Sequence, residues 1–452
     1  MLPGAPFAHA ARDLRNTQLA LPSVLITPLL VLFVLLGSAT PRARAHGRPL
    51  GVNQFFRVDG RNVLFTTRGP VVEAADGGYR WTCSRPYGDT GQALIPNLSR
   101  THAGALLVGT IAGLYRRAPG ACAWERASGA LQFVFVGDVY ALPVAGARVF
   151  AVTADPVPDN VVAYSDDDGA SFETVSVGDV RLQSVRVAPE APSRVVAAGF
   201  VTGETPLSTP DGVLLVSSDA GESFDPIDVP LTDGELTLVV THVSRSDPDL
   251  VWLRTVTTRQ SDSPPERLLV VDVATQEVTD VLARPAINGA ADTLDASGDA
   301  WVVTAPVDEV GGLLRVGLEG EIDVVSPALH ATCVLEADTA LFVCPLPRTG
   351  QSSVLERSED GGQTFTSVLA FEDIVMTDGC ADSDPEHVGT CAADLGDIER
   401  DAQLLIIEPP QPPATGGCAV ARCPRWALSH GLAVMLALLL ARRRRARRGR
   451  AA

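Results

Sequence analysis

The octapeptide SDDDGASF at residues 165–172 decides the fold, because the chain repeats its pattern. SSDAGESF at 217–224 and SEDGGQTF at 358–365 reproduce the order Ser-x-Asp-x-Gly-x-x-aromatic, and AADGGYRW at 74–81 lacks only the serine. One such octapeptide carries little information, whereas four that each follow a β-rich run indicate a structural repeat. The recurring positions are Ala74, Asp76, Gly78, Trp81, Ser165, Asp167, Gly169, Phe172, Ser217, Asp219, Gly221, Phe224, Ser358, Asp360, Gly362 and Phe365.

Each recurring position has a physical reason in a tight turn between two strands. The carboxylate accepts backbone N–H groups inside the turn, and the glycine supplies a positive φ. The hydroxyl ties the start of the turn, and the aromatic ring fills the apolar gap beside the next strand. We therefore predict that Asp76, Asp167, Asp219 and Asp360 are structural residues and not catalysts.

The spacing of the aspartates predicts the number of repeats. Asp167 and Asp219 are 52 residues apart, while the intervals of 91 and 141 residues on either side divide into two and three repeats of similar length. Degenerate copies begin at 113–116, 269–272 and 313–316, where that division needs them. The spacing predicts seven repeats, with a ring of six and one elaborated repeat as the alternative.

Short β-rich runs fill the intervals between the octapeptides. They are separated by Gly, Pro, Asp and Ser clusters, and no long helical period occurs outside the two termini, which indicates an all-β chain. Repeats of four strands that close radially form a β-propeller, in which closure removes exposed sheet edges. We expect the chain from about Gly51 to supply the closing strand. The clearest runs are Asn62–Thr67, Val149–Thr153, Val195–Ala198, Gly212–Val216 and Leu268–Asp272.

The octapeptides resemble the Asp box, or BNR repeat, of the sialidase-like and sortilin-like β-propellers. For a sialidase, that resemblance implies an arginine triad for the substrate carboxylate, a Tyr nucleophile activated by a Glu, and an acidic general acid/base. The family also has an Arg-Ile-Pro segment before the first Asp box, where this chain has FRVD at 56–59 and lacks the proline. Candidates for the triad are Arg57, Arg254 and Arg315.

The tyrosines give no support for a nucleophile, since none lies in a motif of the sialidase family. No G-x-S-x-G, H-E-x-x-H or phosphate-binding string is present either. The sequence therefore predicts no catalytic residue and favours a protein that is not an enzyme. The five tyrosines are Tyr79, Tyr87, Tyr115, Tyr140 and Tyr164.

Charge excludes one class of partner. All 36 basic residues are arginines, and 23 of them stand against 53 acidic residues between His46 and Gly417. An excess of about 30 negative charges repels phosphate backbones, so nucleic-acid binding is disfavoured. With 46% hydrophobic and 20% charged residues, the chain is globular.

The N-terminus has the features of a signal peptide at residues 1–45. Arg12 and Arg15 precede an apolar stretch at 19–36, and Ala43-Arg44-Ala45 matches the small-x-small site of signal peptidase. His46 would be the first mature residue. An uncleaved anchor helix is the alternative.

The C-terminus has the features of a second membrane signal. A linker rich in Pro, Gly and Cys at 409–425 precedes an apolar helix at 426–441 and an arginine-rich tail at 442–452. Positive residues stay cytoplasmic, so the body at 46–408, predicted to be the propeller, lies outside the cytoplasm.

This tail resembles the MYXO-CTERM class of bacterial sorting signals. The resemblance implies that a C-terminal sorting protease removes the helix and that the protein is held at, or released from, the cell surface. Cys418 matches the cysteine of the signal, although Cys423 lies five residues away and not close beside it. A simple membrane anchor is the alternative.

Six cysteines remain in the body, and an oxidising compartment predicts disulfides among them. Cys333 and Cys344 are 11 positions apart, as are Cys380 and Cys391, and this spacing suits a staple across a hairpin or loop. Zinc is not indicated, because the chain has no C-x-x-C pair. The segment 377–386 carries alternating carboxylates, as calcium loops do, but a disulfide-pinned acidic loop is the preferred interpretation, with no cofactor. The six are Cys83, Cys122, Cys333, Cys344, Cys380 and Cys391.

These features predict an exported cell-surface β-propeller that binds an extracellular glycan, peptide or protein without catalysis. The alternatives are a secreted sialidase-type glycoside hydrolase and a periplasmic assembly factor for a membrane complex. We expect the binding surface on the loops of the face opposite the octapeptide turns.

Overall fold

The computed structural model describes residues 51–83, 87, 97–156, 159–202, 209–260, 262–305, 311–346 and 352–375. The predicted signal peptide, C-terminal linker, membrane helix, tail and Cys418 lie outside the described residues. In the part of the chain that is described, no helix is long and apolar enough to cross a membrane.

Seven antiparallel sheets follow one another along these residues, and each is a meander of four consecutive strands. We number them as blades 1 to 7. Blade 1 contains β1 (Val52–Val58), β2 (Arg61–Thr66), β3 (Gly69–Glu73) and β4 (Tyr79–Trp81). Blade 2 contains β5 (Asn97–Arg100), β6 (Leu106–Thr110), β7 (Gly113–Arg117) and β8 (Glu125–Arg126). Blade 3 contains β9 (Val136–Ala141), β10 (Val149–Thr153), β11 (Asn160–Ser165) and β12 (Glu173–Gly178).

The remaining four blades repeat the arrangement. Blade 4 contains β13 (Arg181–Ala188), β14 (Ala191–Val201), β15 (Asp211–Ser217) and β16 (Asp225–Val229). Blade 5 contains β17 (Glu235–Val243), β18 (Leu250–Thr257), β19 (Glu266–Asp272) and β20 (Glu277–Arg284). Blade 6 contains β21 (Ile287–Asp292), β22 (Ala300–Thr304), β23 (Gly312–Val316) and β24 (Ile322–Ser326). Blade 7 contains β25 (Ala331–Ala337), β26 (Ala340–Pro345), β27 (Ser353–Ser358) and β28 (Thr366–Ala370).

The protein is thus an all-β, seven-bladed β-propeller, and the six-bladed alternative is wrong. The predicted strand runs lie in β2, β10, β14, β15 and β19. All three degenerate copies lie on third strands of their blades, β7, β19 and β23, and the octapeptides form the turns at the ends of third strands. Short 3-10 turns at Gly129–Leu131 and Phe371–Asp373 interrupt the β structure.

The burial of a strand depends on its position in the blade. Every residue of β10 is buried, because both faces of a middle strand are covered by neighbouring blades. In the outermost strand β12, by contrast, no residue is buried. The core therefore consists of apolar layers between blades, such as the layer that joins Leu182 and Val185 to Phe150.

The first strand of each blade is its inner strand. Neighbouring blades are joined near these strands by hydrogen bonds between a side chain of one blade and the backbone of the other. A buried backbone N–H or C=O at such a junction needs a partner, and a side chain of the adjacent blade supplies it. From the junction of blades 1 and 2 onward, the bonds are Leu98 N to Gln54 Oε1 (2.8 Å), Ala141 N to Ser99 Oγ (2.9 Å), Val185 N to Asp138 Oδ2 (3.1 Å), Val240 N to Ser184 Oγ (2.6 Å), Arg245 N to Asp292 Oδ2 (2.8 Å), Asn288 Nδ2 to Ala331 O (3.0 Å) and Thr332 Oγ1 to Val52 O (2.6 Å).

The ring closes between blades 7 and 1. Thr332 of β25 donates to Val52 of β1, so the chain from Val52 supplies the inner strand at the closure. After blade 7 is complete, β29 (Ile374–Val375) adds a fifth, parallel strand beside β4, on the outer edge of blade 1. Blade 1 therefore contains strands from both the beginning and the end of the described chain.

The three complete octapeptides adopt one turn, here described for residues 165–172. The hydroxyl of Ser165 accepts a hydrogen bond from Gly169 N (2.9 Å) and donates to Asp167 Oδ1 (2.7 Å). Asp167 Oδ1 also accepts from Ala170 N (3.0 Å) and Ser171 N (2.8 Å), and Oδ2 accepts from the Ser171 hydroxyl (2.6 Å). Equivalent bonds surround Asp219 and Asp360. The seventh-position hydroxyl is a donor that the sequence pattern did not single out.

The glycine of each complete turn is required by space as well as by φ. Gly221 has a φ of +89°, and a Cβ there would lie 2.6 Å from Phe150 Cε1 of the preceding blade. A Cβ at Gly169 would lie 2.5 Å from Leu107 Cδ2, also of the preceding blade. These glycines let the turns approach the neighbouring blade closely.

The first octapeptide differs from the others. Gly77, and not Gly78, takes the positive φ, of +80°. Asp76 accepts hydrogen bonds from Gly78 N (3.0 Å) and, at Oδ2, from Arg80 Nη2 (2.5 Å), so an arginine replaces the seventh-position hydroxyl.

A disulfide joins Cys333 of β25 to Cys344 of β26, with the two Cα atoms 5.0 Å apart. The two cysteines are register partners in the hairpin, which is one of the two arrangements that suit their spacing. Cys83 and Cys122 are disulfide-bonded as well. Cys380, Cys391 and the acidic segment 377–386 lie outside the described residues.

We predict that Ser184→Ala destabilises the ring. The hydroxyl of Ser184 is buried and accepts from Val240 N, so its removal leaves a buried N–H without a partner. The free energy of unfolding, measured by urea titration, should fall by about 1 to 3 kcal/mol. Ser128→Ala is the control, because Ser128 is exposed and makes no capping hydrogen bond. Equal stability of the two variants would contradict the role of the junction bond.

We predict that the turns contribute to acid sensitivity. Hydrogen bonds from Thr364 and Ser358 lower the pKa of Asp360 from 3.8 to about 2. The stabilisation is thus present above pH 4 and is lost as the pH falls through about 2. Asp360→Asn should lower the urea midpoint at pH 7 and reduce its further fall between pH 4 and 2. Asp228→Asn, at an exposed strand position, should follow the wild type, and a wild-type slope in Asp360→Asn would contradict this role.

Candidate functional site

The three arginines considered for a substrate carboxylate each have a different set of partners. Arg57 lies on the inner strand β1, where Nη1 is 2.9 Å from Asp338 Oδ2 and the guanidinium lies over the ring of Phe342. Arg254 lies on β18, the second strand of blade 5, and donates to Ile287 O. The structure thus assigns these two arginines to the junctions of blades 7 and 1 and of blades 5 and 6.

Arg315 lies still further from an inner strand, on β23. Its guanidinium bonds to Asp295 Oδ2 (2.5 Å) and Asp299 Oδ2 (2.8 Å), which flank the first hairpin of blade 6. The partners of Arg57, Arg254 and Arg315 have no residue in common. The structure does not bring these three arginines together.

Two tyrosines have carboxylate neighbours, and in both the pKa is raised. Burial raises the pKa of Tyr79, and the Glu73 carboxylate raises it further, while Asn62 Nδ2 donates to its hydroxyl (2.6 Å). The hydroxyl of Tyr164 donates to Glu173 Oε2 (2.7 Å), and this bond raises its pKa. A tyrosine nucleophile must lose its proton, so these environments oppose that role.

The other three tyrosines pack within the propeller. Tyr140 on β9 lies beside the Arg186 guanidinium, and burial raises its pKa. Tyr87 is buried and packs against Tyr115 and Trp124.

Titratable side chains of neighbouring inner strands meet in two buried groups. In the first, Asp138 of blade 3 accepts from Arg186 Nη1 of blade 4 (2.6 Å) and from Val185 N. Burial raises the pKa of Asp138, against the opposing effect of the Arg186 charge. The pair therefore belongs to the junction, where it satisfies a backbone N–H.

In the second group, His242 of blade 5 faces Asp292 of blade 6, with Nε2 and Oδ1 3.9 Å apart. Neither atom has a hydrogen-bond partner among the described residues. Burial lowers the pKa of His242 to about 3, so its ring is neutral and stacks on Trp252. Burial raises the pKa of Asp292 to about 6, although its other oxygen accepts from Arg245 N.

An arginine-lined cleft lies between blades 1 and 2 and has a volume of about 280 Å³. Arg61, Arg80, Arg100 and Arg117 line it, together with one carboxylate, that of Glu73. Arg61 and Arg100 flank first hairpins of their blades, and Arg80 and Arg117 flank the third-strand turns. In a four-stranded meander these turns lie at the same end, so the cleft is on the octapeptide face.

Three of the charged residues that line the cleft have partners within the protein. Arg80 is paired with Asp76, and Arg117 donates to Ala121 O (2.6 Å) and Thr82 Oγ1 (3.1 Å). Glu73 Oε2 accepts from Asn62 N of the adjacent strand (2.9 Å). Arg80, Arg117 and Glu73 therefore each have a partner within the protein.

None of these arginines is a site residue predicted from the sequence, which favours binding on the opposite face. On that opposite face, several loops include residues outside the described ranges, such as 203–208 and 306–310. A signal for the cleft does exist, since each arginine flanks a turn at one end of blade 1 or 2. It becomes visible once the strands have been assigned to blades.

The described residues include no group of three or more His, Cys, Asp or Glu side chains that could hold a metal ion. The acidic segment considered for calcium lies outside them.

No protein-family profile matches the chain, and no curated protein matches it. Among solved structures, it is similar to an ancestral GH74 enzyme, with 11% identity over 70% of this chain and 46% of that chain and a TM-score of 0.49. It is also similar to the extracellular domain of a one-component system from B. thetaiotaomicron, with 13% identity over 69% of this chain and 38% of that chain and a TM-score of 0.43. YCF48 from Cyanidioschyzon merolae matches with 14% identity over 60% of this chain and 83% of that chain, at a TM-score of 0.39.

The chain thus spans less than half the length of the first two structures. At these identities and TM-scores, the similarities carry no argument about activity. The propeller fold follows from the seven sheets themselves.

We predict that Asp292→Asn stabilises the protein at alkaline pH. A carboxyl group with a raised pKa contributes favourably below pH 4, and that contribution is lost as the pH rises through about 6. The asparagine can still accept from Arg245 N but carries no buried charge. The free energy of unfolding at pH 8 should rise by about 1 to 3 kcal/mol, with a smaller change at pH 4.

Asp323→Asn, at an exposed position of β24, is the control and should show no such pH-dependent gain. A gain for Asp292→Asn that is equal at pH 4 and pH 8 would contradict a titrating buried carboxylate.

Proposed function

We propose that the protein is exported and acts at the cell surface as a non-catalytic binding module. Its ligand is an extracellular glycan, peptide or protein that carries acidic groups. The observation that carries this proposal is the arginine-lined cleft between blades 1 and 2.

The charge of the cleft contrasts with the charge of the body. Four arginines and one glutamate line it, while the region between His46 and Gly417 has an excess of about 30 negative charges. A half-buried arginine such as Arg100, with a guanidinium nitrogen that has no partner among the described residues, is unfavourable without a compensating charge, and a bound acidic group supplies one. A rigid, closed ring is suited to hold such a site, because its loops are fixed by the blades.

Export is supported by the two ends of the sequence and by the cysteines. The signal-peptide pattern at 1–45 and the resemblance of the tail around Cys418 to a sorting signal support a body outside the cytoplasm. The disulfide between Cys333 and Cys344 is consistent with an oxidising compartment. In this proposal, a C-terminal sorting protease processes the tail after export.

A glycoside hydrolase is the second candidate function, and one observation favours it. Glu73 lines the cleft, and Tyr79 lies beside it, which gives a Tyr–Glu pair close to several arginines. Tyr79 is buried among apolar side chains and has a raised pKa, so the binding function is the better supported of the two.

The test is to incubate the purified full-length protein with a mixed panel of glycans. The panel contains sialylated, uronic-acid, sulfated and neutral members, and mass spectrometry measures both cleavage and retention. We expect acidic glycans to be retained intact, neutral ones to pass through, and retention to weaken as salt screens the arginines. Cleaved sialosides would instead establish a hydrolase.

A further inference from the structure

Arg100 is an arginine of the cleft whose guanidinium is not fully bonded within the described residues. It ends β5, lines the cleft and is half-buried. Its Nη1 is buried without a hydrogen-bond partner among the described residues. A guanidinium at this depth normally has a carboxylate or carbonyl acceptor, so the site lacks the expected counter-charge.

Arg61 adds a second positive charge to the site that lacks a counter-charge. It begins β2 at an exposed position of the same cleft. Burial lowers the pKa of Arg100, and the positive charge of Arg61 lowers it further. The two guanidinium groups therefore repel each other across the cleft.

Nearby carboxylates do not supply the missing counter-charge, because they have other partners. Asp59 acts on Arg100 electrostatically, but its Oδ1 lies 2.9 Å from His102 Nδ1. Asp76 is paired with Arg80, and Glu73 accepts from the backbone of β2. In the described part of the chain, no ion pair holds Arg61 or Arg100.

The size of the cleft limits what can enter. A volume of about 280 Å³ is just below the usual range for small-molecule sites, which is about 300 to 1,000 Å³. It suits one acidic group with the sugar or side chain that carries it. Guanidinium groups bind planar and tetrahedral oxyanions with two parallel hydrogen bonds, which gives both charge and orientation.

We propose that Arg61 and Arg100 form an oxyanion subsite that takes one carboxylate, sulfate or phosphate group of the ligand. This subsite rests on the proposed binding function and names its anchor. The anion lies between the two guanidinium groups and supplies the acceptor that Arg100 lacks. Arg80 and Arg117, which already have partners, form the wall around it.

The test uses isothermal titration calorimetry on the full-length protein at constant ionic strength. The probes are inorganic sulfate, inorganic phosphate and acetate, with chloride as the balancing anion. We expect at least one of these oxyanions to bind with one-to-one stoichiometry. The strongest binder tells whether the ligand group is tetrahedral or a carboxylate.

Arg100→Gln and Arg61→Gln should each weaken that binding about tenfold or more, because each removes charge-assisted hydrogen bonds. The control is Arg284→Gln on β20. Arg284 is also half-buried, and its described bond is to Ala283 O. Arg284→Gln changes the net charge by the same amount as Arg100→Gln and Arg61→Gln, and it should leave the affinity for the oxyanion unchanged.

Folding of the variants can be checked separately. Arg61 is exposed, so Arg61→Gln should retain the unfolding temperature of the wild type. Equal oxyanion affinity in the wild type, Arg61→Gln and Arg100→Gln would overturn the subsite, as would an equal loss in Arg284→Gln.

The glycan panel distinguishes this failure from failure of the proposed function. If Arg100→Gln retains acidic glycans as well as the wild type does, the binding function holds and the subsite is wrong. If oxyanions bind in an Arg100-dependent way but no member of the panel is retained, the subsite holds and the glycan is the wrong carrier. If neither oxyanions nor glycans bind, both proposals are wrong.

Discussion

Closure of the ring is the constraint on which the other features of this propeller depend. Each inner strand presents backbone groups to the next blade, and a side chain such as Ser184 or Thr332 must bond to them. The octapeptide glycines act at the outer part of the same interfaces, because their missing Cβ lets a turn lie against the preceding blade. A failure at one junction would leave buried polar groups unpaired and expose sheet edges.

Two buried glutamates of blade 5 show how other arginines of the propeller are used. Glu235 binds Arg267 through two hydrogen bonds, of 2.8 and 2.7 Å, and Glu266 binds Arg259 in the same way. Both glutamates are fully buried, so their arginines are needed for stability and are not available for a ligand. Arg61 and Arg100 differ because they line a cleft in which, among the described residues, neither is held in an ion pair. That difference separates structural arginines from the candidate site.

The octapeptides made the fold predictable because their chemistry is local. Ser165, Asp167 and Gly169 bond to one another within a few residues, so their order in the sequence already specifies the turn. Regular spacing then gave the blade count, including blades whose turns have lost the pattern. The candidate site was not predictable in this way, since Arg61 and Arg100 belong to different blades and no motif joins them. For the same reason, the sequence could not show that Arg57, Arg254 and Arg315 have separate partners.

By itself, the sequence determined an all-β chain, the octapeptide turns and the seven repeats. All of these depend on interactions between residues close in the chain. The tertiary structure alone decided which blade the two ends of the ring share and which arginines meet at a cleft. These depend on contacts between distant segments, where the packing of one blade on the next brings charges together regardless of their order in the sequence.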